Sequence, residues 1–93
     1  MTSEERTLIN YRLERAKETL GEAQLLYDNG YLNTYVNRLY YACFYAVSAL
    51  LLTKNFSASK HGHLRSLFHR EFIKTGIVPQ AMGKFFDLLF DNR

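Results

Sequence analysis

The sequence predicts an all-α protein, a single domain over residues 1–93 built as an up-down bundle of four main helices. Three observations predict it. Apolar residues recur at steps of three and four along most of the chain, and no stretch alternates apolar with polar residues as a half-buried strand does. Five Gly and one Pro are too few for the many tight turns of a sandwich or barrel. Ninety-three residues, 47% hydrophobic and 15% aromatic, suit one small domain with a dense core and leave no room for a second.

The first helix is expected over residues 4–27, where Ile9, Leu13, Ala16, Leu20, Ala23 and Tyr27 form one apolar stripe. Thr2 and Ser3 can cap its start, Glu4 and Glu5 meet the positive end of its dipole, and Asp28-Asn29-Gly30 ends it. Gly21, inside the pattern, is expected to mark a close helix crossing. The second helix should start near Asn33, a good N-cap, and run to about Lys54. It is apolar nearly all round from Leu39, so residues 39–52 should be the least exposed part of the chain, with Ala42, Ala46 and Ala49 a ridge of small residues. Ser57 or Ser59 is available to cap a third helix over residues 60–75, closed by Gly76. Pro79 suits the first turn of a fourth, through about Asp91. There Phe85, Leu88 and Leu89 share a face that Phe86 and Phe90 widen. Short loops make neighbouring helices antiparallel. That arrangement puts Arg38 and His61 at opposite ends of the bundle, roughly 23 Å apart over about fifteen residues of rise.

Composition narrows the setting. Cys43, the one cysteine, cannot form an internal disulfide and sits between Ala42 and Phe44, so it reads as a small core hydrophobe in a reducing interior. The polar, acidic start Met1–Arg6 predicts no signal peptide, and the longest apolar run, Leu39–Leu52, is too short to span a bilayer. A soluble, cytoplasmic protein with no membrane partner is expected. The net charge is +3, and it is unevenly spread: residues 54–74 hold five basic side chains against Glu71, with His61, His63 and His69 among them. Such a segment can meet phosphates or an acidic partner, or be a solvated helix face.

Two places carry candidate chemistry. Arg38 heads the buried helix, followed on its face by Tyr41 and Tyr45. A buried Arg needs a carboxylate or a phosphate. Glu22 or Glu71 would make an internal salt bridge, whose loss in Arg38→Ala would strand a partly buried carboxylate at about 1–3 kcal/mol; a nucleotide phosphate is the other option. In the second place, His61, Arg65 and His69 fall at i, i+4 and i+8, on one side of a helix. A His that exchanges protons near neutral pH beside an Arg that holds a phosphate is what cleaving RNA requires. The same residues also suit a wet surface or a dimer interface. Two His one turn apart supply half a tetrahedral metal set, so no metal site is expected. Tyr35, Tyr40, Tyr41 and Tyr45 read as packing residues with a hydroxyl at the rim.

The run Asn37-Arg38-Leu39-Tyr40-Tyr41-Ala42-Cys43-Phe44-Tyr45-Ala46 is followed by Ala49-Leu50-Leu51, Lys60-His61, Lys74-Thr75-Gly76 and the ending Leu89-Phe90-Asp91-Asn92-Arg93. Together these resemble the HEPN domain family over nearly the whole chain. The resemblance implies a small helical bundle, usually dimeric, and a place beside a minimal nucleotidyltransferase in a toxin–antitoxin module. It also implies a further helix after residue 93, where this sequence stops, as in a naturally short member or a truncated one. Catalytic members are metal-independent RNases with an Arg, four to six residues, and a His. Here only three residues separate Arg65 from His69, which turns the His by roughly 100° around a helix. The reading is a non-catalytic helical subunit that binds the nucleotidyltransferase, a nucleotide or RNA through Lys60, His61, Arg38 and Tyr41. The alternative is an RNase toxin with Arg65 and His69 catalytic at a dimer cleft. No cofactor is expected. A homodimer or higher oligomer should cover part of Phe85, Phe86, Leu89 and Phe90.

Overall fold

A computed structural model describes all 93 residues. It is all-helical: α1 (Ser3–Asp28), α2 (Leu32–Leu52), α3 (His61–Phe68), which continues into a π-helical turn (His69–Ile73), and α4 (Gln80–Asn92). No helix is long and apolar enough to cross a membrane.

α1 and α2 form an antiparallel hairpin. The Thr2 hydroxyl accepts the Glu5 N–H at 3.1 Å, and Gly30 at φ 80° lets the chain reverse after Asn29. The face of α1 that meets α2 is rotated from the expected stripe. Thr19 and Ala23 are its buried residues and Arg12, Ala16 and Leu26 are half-buried, whereas Leu13, Leu20 and Tyr27 stay exposed. Small side chains at the contact let the helices approach, and the longer leucines are displaced to the rim. Gly21 marks no crossing: a Cβ there would meet nothing within 4 Å. α2 begins at Leu32 rather than after an Asn33 cap, and no side chain caps it. As expected, α2 is the central element, with Tyr40, Ala42, Val47, Ser48, Ala49 and Leu51 buried.

The link from α2 to α3 departs from the expected short turn. Asn55 takes a left-handed conformation (φ 63°), and the Phe56 N–H reaches back to the Leu51 carbonyl at 3.0 Å, which closes the helix and reverses the chain. The next residues then run back along α2, with Phe56 and Ala58 against the core. Five residues can span up to about 17 Å when stretched out, roughly the rise of eleven helical ones. His61 therefore starts α3 beside Tyr40 and Phe44, while Lys54 at the far end of α2 donates to the Glu71 carbonyl at 2.8 Å. α3 runs in the same direction as α2. The expected 23 Å between Arg38 and His61 is thereby overturned, because the Tyr41 ring lies 5.1 Å from the Arg38 guanidinium and 5.8 Å from the His61 ring. Neither Ser57 nor Ser59 caps α3; Lys60 holds the cap position.

Gly76, at φ 80°, ends the third helical segment as expected, and Pro79 sits just ahead of α4. α4 turns Gly83, Phe86 and Leu89 inward. Phe86 and Leu89 thus already belong to the core, with Leu51, Leu64, Phe68 and Phe72. They are not free for a second subunit; Met82, Phe85 and Leu88 are the exposed apolar residues of this helix.

Candidate functional site

Because α3 starts alongside the first half of α2, and α4 ends there, residues from three elements meet at one end of the molecule. Tyr40 is their centre. Its side chain is fully buried, and its hydroxyl lies 2.7 Å from His61 Nδ1. The two rings stack at 5.6 Å with 19° between their planes. On the other side Phe86 stacks on Tyr40 at 5.7 Å, and Phe90 meets it edge-on at 6.0 Å. Phe44 and Tyr41 complete an aromatic enclosure around His61 at 4.6 and 5.8 Å. Burial pushes the Tyr40 phenol up from its ordinary pKa, and burial together with the Arg93 charge pushes His61 down. The pair is therefore neutral near pH 7. Two arrangements satisfy this contact: Tyr40 donates to Nδ1 of an imidazole protonated on Nε2, or Nδ1–H donates to the phenol oxygen.

Arg38 has the partner the sequence suggested, Glu22, at 3.6 Å. Glu71, the other carboxylate considered, is held by Arg70 at 2.8 Å. Arg38 also lies over the Tyr41 ring, so Arg38, Tyr41 and His61 are contiguous. Lys60, next to His61, is exposed and makes no ion pair within 4 Å.

Arg65 and His69 form a second group, one turn and two turns further along. Both converge on α4: His69 Nε2 is 2.9 Å from Asp87 Oδ1, and Arg65 lies 4.0 Å from Asp87 and 3.7 Å from Asp91. Gly83 makes this possible. A Cβ there would stand 2.9 Å from His69 Cε1 and 3.2 Å from Ile73, so only a glycine lets α4 come close enough for Asp87, one turn on, to reach the imidazole. His69 also opens the π turn, with its carbonyl taking the Lys74 N–H at 2.8 Å. Such wide turns recur at functional sites.

Phe90 joins the two groups. The guanidinium of Arg65 lies 4.0 Å from its ring and that of Arg93 4.1 Å, and Arg93 also covers Tyr40 at 5.4 Å. Tyr40 as a hydrogen-bonding residue and Asp87 were not expected at the site, and Phe90, Asp91 and Arg93 entered only through the family resemblance or, for Phe90, an oligomer face. A signal for the acids exists in the sequence: Asp87 and Asp91 are spaced i, i+4, as are Arg65 and His69, and two such pairs on adjacent antiparallel helices can face each other. Cys43 is half-buried and its thiol is pushed up by burial, in keeping with an inert side chain. No three His, Cys, Asp or Glu side chains are gathered closely enough to hold a metal ion.

Comparison with known proteins agrees with this architecture. The model of the HEPN domain matches residues 9–93, and the chain belongs to the HEPN domain family. It is 48% identical over 91 residues to a UPF0332 protein of Thermotoga maritima, covering 98% of this chain and 69% of that one. It is 33% identical over 81 residues to a protein of Methanocaldococcus jannaschii named "Putative toxin", covering 87% of this chain and 55% of that one. A UPF0332 protein of Pyrococcus horikoshii is 31% identical over 77 residues, 83% of this chain and 54% of the relative. The chain thus spans little more than half the length of the archaeal relatives. No solved structure matches.

Proposed function

We propose that this HEPN domain is the non-catalytic helical subunit of a toxin–antitoxin-type module, acting with a minimal nucleotidyltransferase in the cytoplasm. Its nucleotide- or RNA-binding face is formed by Arg38, Tyr41, Lys60 and His61, without a cofactor. One observation carries the non-catalytic reading: Asp87 and Asp91 occupy both groups that an RNase would need. His69 Nε2 lies 2.9 Å from Asp87 and Arg65 stands 4.0 and 3.7 Å from Asp87 and Asp91, so both side chains are turned to carboxylates of α4, although His69 Nδ1 has no partner within the chain. The first face differs, since Lys60 is unpaired and the Tyr41 ring lies between Arg38 and His61. A cation beside a stacking ring is the pairing that single-stranded nucleic acid takes. A homodimer is part of the reading: Cys43 and Ala46 lie in two apolar grooves, one bordered by Leu13 and Leu20 of α1 and the other by Met82 and Phe85 of α4. A second copy would cover them.

A second reading, an RNase toxin using Arg65 and His69 at a dimer cleft, draws on the same Asp87, because a carboxylate can also orient a catalytic imidazole. Incubation of the purified chain with single-stranded RNA separates the two. The expected result is binding that weakens with salt and with Lys60→Gln, and no cleavage. Cleavage that His69→Ala abolishes would replace the first reading by the second.

A further inference from the structure

Two polar side chains withdrawn from water have no partner in the fold, and both line one cleft. Arg12 and Ser48 lie in the wall of a space of about 370 Å³ between α1, α2 and the link that returns to α3. Arg12 is half-buried, has no carboxylate within 4 Å and makes no side-chain hydrogen bond. The other half-buried arginines all have acids: Arg15 with Glu18 at 2.9 Å, Arg38 with Glu22 at 3.6 Å and Arg65 with Asp91 at 3.7 Å. Ser48 is 3% exposed, and its hydroxyl is the one buried side-chain polar atom of the chain with no hydrogen-bond partner. A guanidinium partly withdrawn from water and left unpaired lacks its anion.

Charge decides which anion fits. Arg15 lines the cleft too, but Glu18 already meets its charge, and no Asp or Glu lines the wall. One positive charge is therefore open. A charge taken out of water is stable there only when it is balanced. A singly charged carboxylate balances Arg12 and leaves no excess. A doubly charged phosphate brings one negative charge too many, with Glu18, one turn beyond Arg15, to repel it. The planar fork of a guanidinium also takes a carboxylate by two parallel hydrogen bonds. The rest of the wall selects the body of the ligand: Leu8 and Ala58 are apolar, and Tyr11, Phe44 and Tyr45 offer aromatic surface. The volume is within the range of small-molecule sites, about 300–1,000 Å³.

We propose that this cleft binds a small aromatic monocarboxylate, its carboxylate on the Arg12 fork and its ring among Tyr11, Phe44 and Tyr45. The proposal does not rest on the Tyr41–His61 face, which the cleft touches only through Phe44.

Calorimetric titration of the full chain with 3-phenylpropionate at pH 8 tests this. Three further arms are 3-phenylpropionamide, which lacks the charge, acetate, which lacks the ring, and phenyl phosphate, which carries about two charges at that pH. The aromatic acid should bind, and each of the other three should bind more weakly. Arg12→Gln should weaken the acid about tenfold or more, the loss of one charge-assisted contact. Arg12→Lys should restore part of the affinity, because it returns the charge without the fork, and Lys84→Gln, on α4, should change nothing. Circular dichroism of each variant checks that it is folded. The proposal is overturned if the aromatic acid does not bind, if Arg12→Gln leaves its affinity intact, or if the neutral amide binds equally well. Phenyl phosphate binding as tightly as the carboxylate would overturn the choice of a monoanion, and acetate binding as tightly would overturn the aromatic half.

Discussion

His61 and His69 are eight residues apart along one continuous helical segment, and the molecule treats them in opposite ways. His61 lies among Tyr40, Tyr41 and Phe44 with a phenol on its Nδ1, and burial holds it neutral. His69 has a carboxylate 2.9 Å from its Nε2. Sequence spacing sets which side of a helix a residue is on, but the neighbouring helix sets what it meets there. The neighbour of His61 is α2, aromatic at that level; the neighbour of His69 is α4, whose Asp87 and Asp91 repeat at the same interval as Arg65 and His69. The first environment suits a residue that hands a surface its shape and a neutral imidazole. The second suits a charged clasp between two helices.

The comparison can be broken most severely at Tyr40. Tyr40→Ala removes the ring on which His61, Phe86 and Phe90 all pack, and should cost about 3–5 kcal/mol in urea denaturation. His69→Ala, at a half-buried clasp, should cost far less; equal losses would mean the aromatic end is not the firmer of the two. Gly83→Ala attacks the other end. Its Cβ would press on His69 and Ile73, so a loss of about 1–3 kcal/mol is expected. In imidazole NMR the His69 resonances should shift and those of His61 should not.

The third test reads charge. The His61 pKa is lowered below its ordinary 6.5 in the folded chain, so between the two values the unfolded state binds more protons. The contribution of the neutral pair is complete above about pH 6.5 and is lost as the pH falls through the folded value. Subtracting the stability profile of His61→Phe from that of the wild type should reveal this component, and a flat difference between pH 7 and 4 would contradict it. Tyr40→Phe, which deletes only the hydroxyl, should cost about 1 kcal/mol. The smallest effect is expected from Arg38→Ala. Glu22 is half exposed, so the pair resembles a surface ion pair and its loss should cost at most about 1 kcal/mol in a thermal or urea melt. That is below the 1–3 kcal/mol expected for a stranded buried carboxylate.

Much of the site was legible residue by residue, and little of it as an arrangement. Arg38 with Glu22 follows from two antiparallel helices joined at Gly30, because the register of a tight hairpin is set by counting from the turn. Arg65 and His69 share a side because i and i+4 always do. Asp87 is not legible from the sequence, because a carboxylate on an exposed-looking helix face has no local mark of a partner. The expected stripe on α1 was drawn by hydropathy, yet close packing put Thr19 and Ala23 at the contact and left Leu13 and Leu20 at the rim.

The amino-acid sequence by itself determined the four helices, their ends to within a few residues at Thr2, Gly30, Gly76 and Pro79, and the burial of α2. These rest on helical periodicity, capping and backbone preference, which act over a turn or two. Only the tertiary structure decided that α3 runs alongside α2 in the same direction, and hence that Tyr40, Tyr41 and His61 meet. That outcome turns on a left-handed Asn55 and the five non-helical residues after it. Such a link has no period of its own, and its path is set by where Phe56 and Ala58 find apolar surface, a property of the assembled core and not of the local sequence.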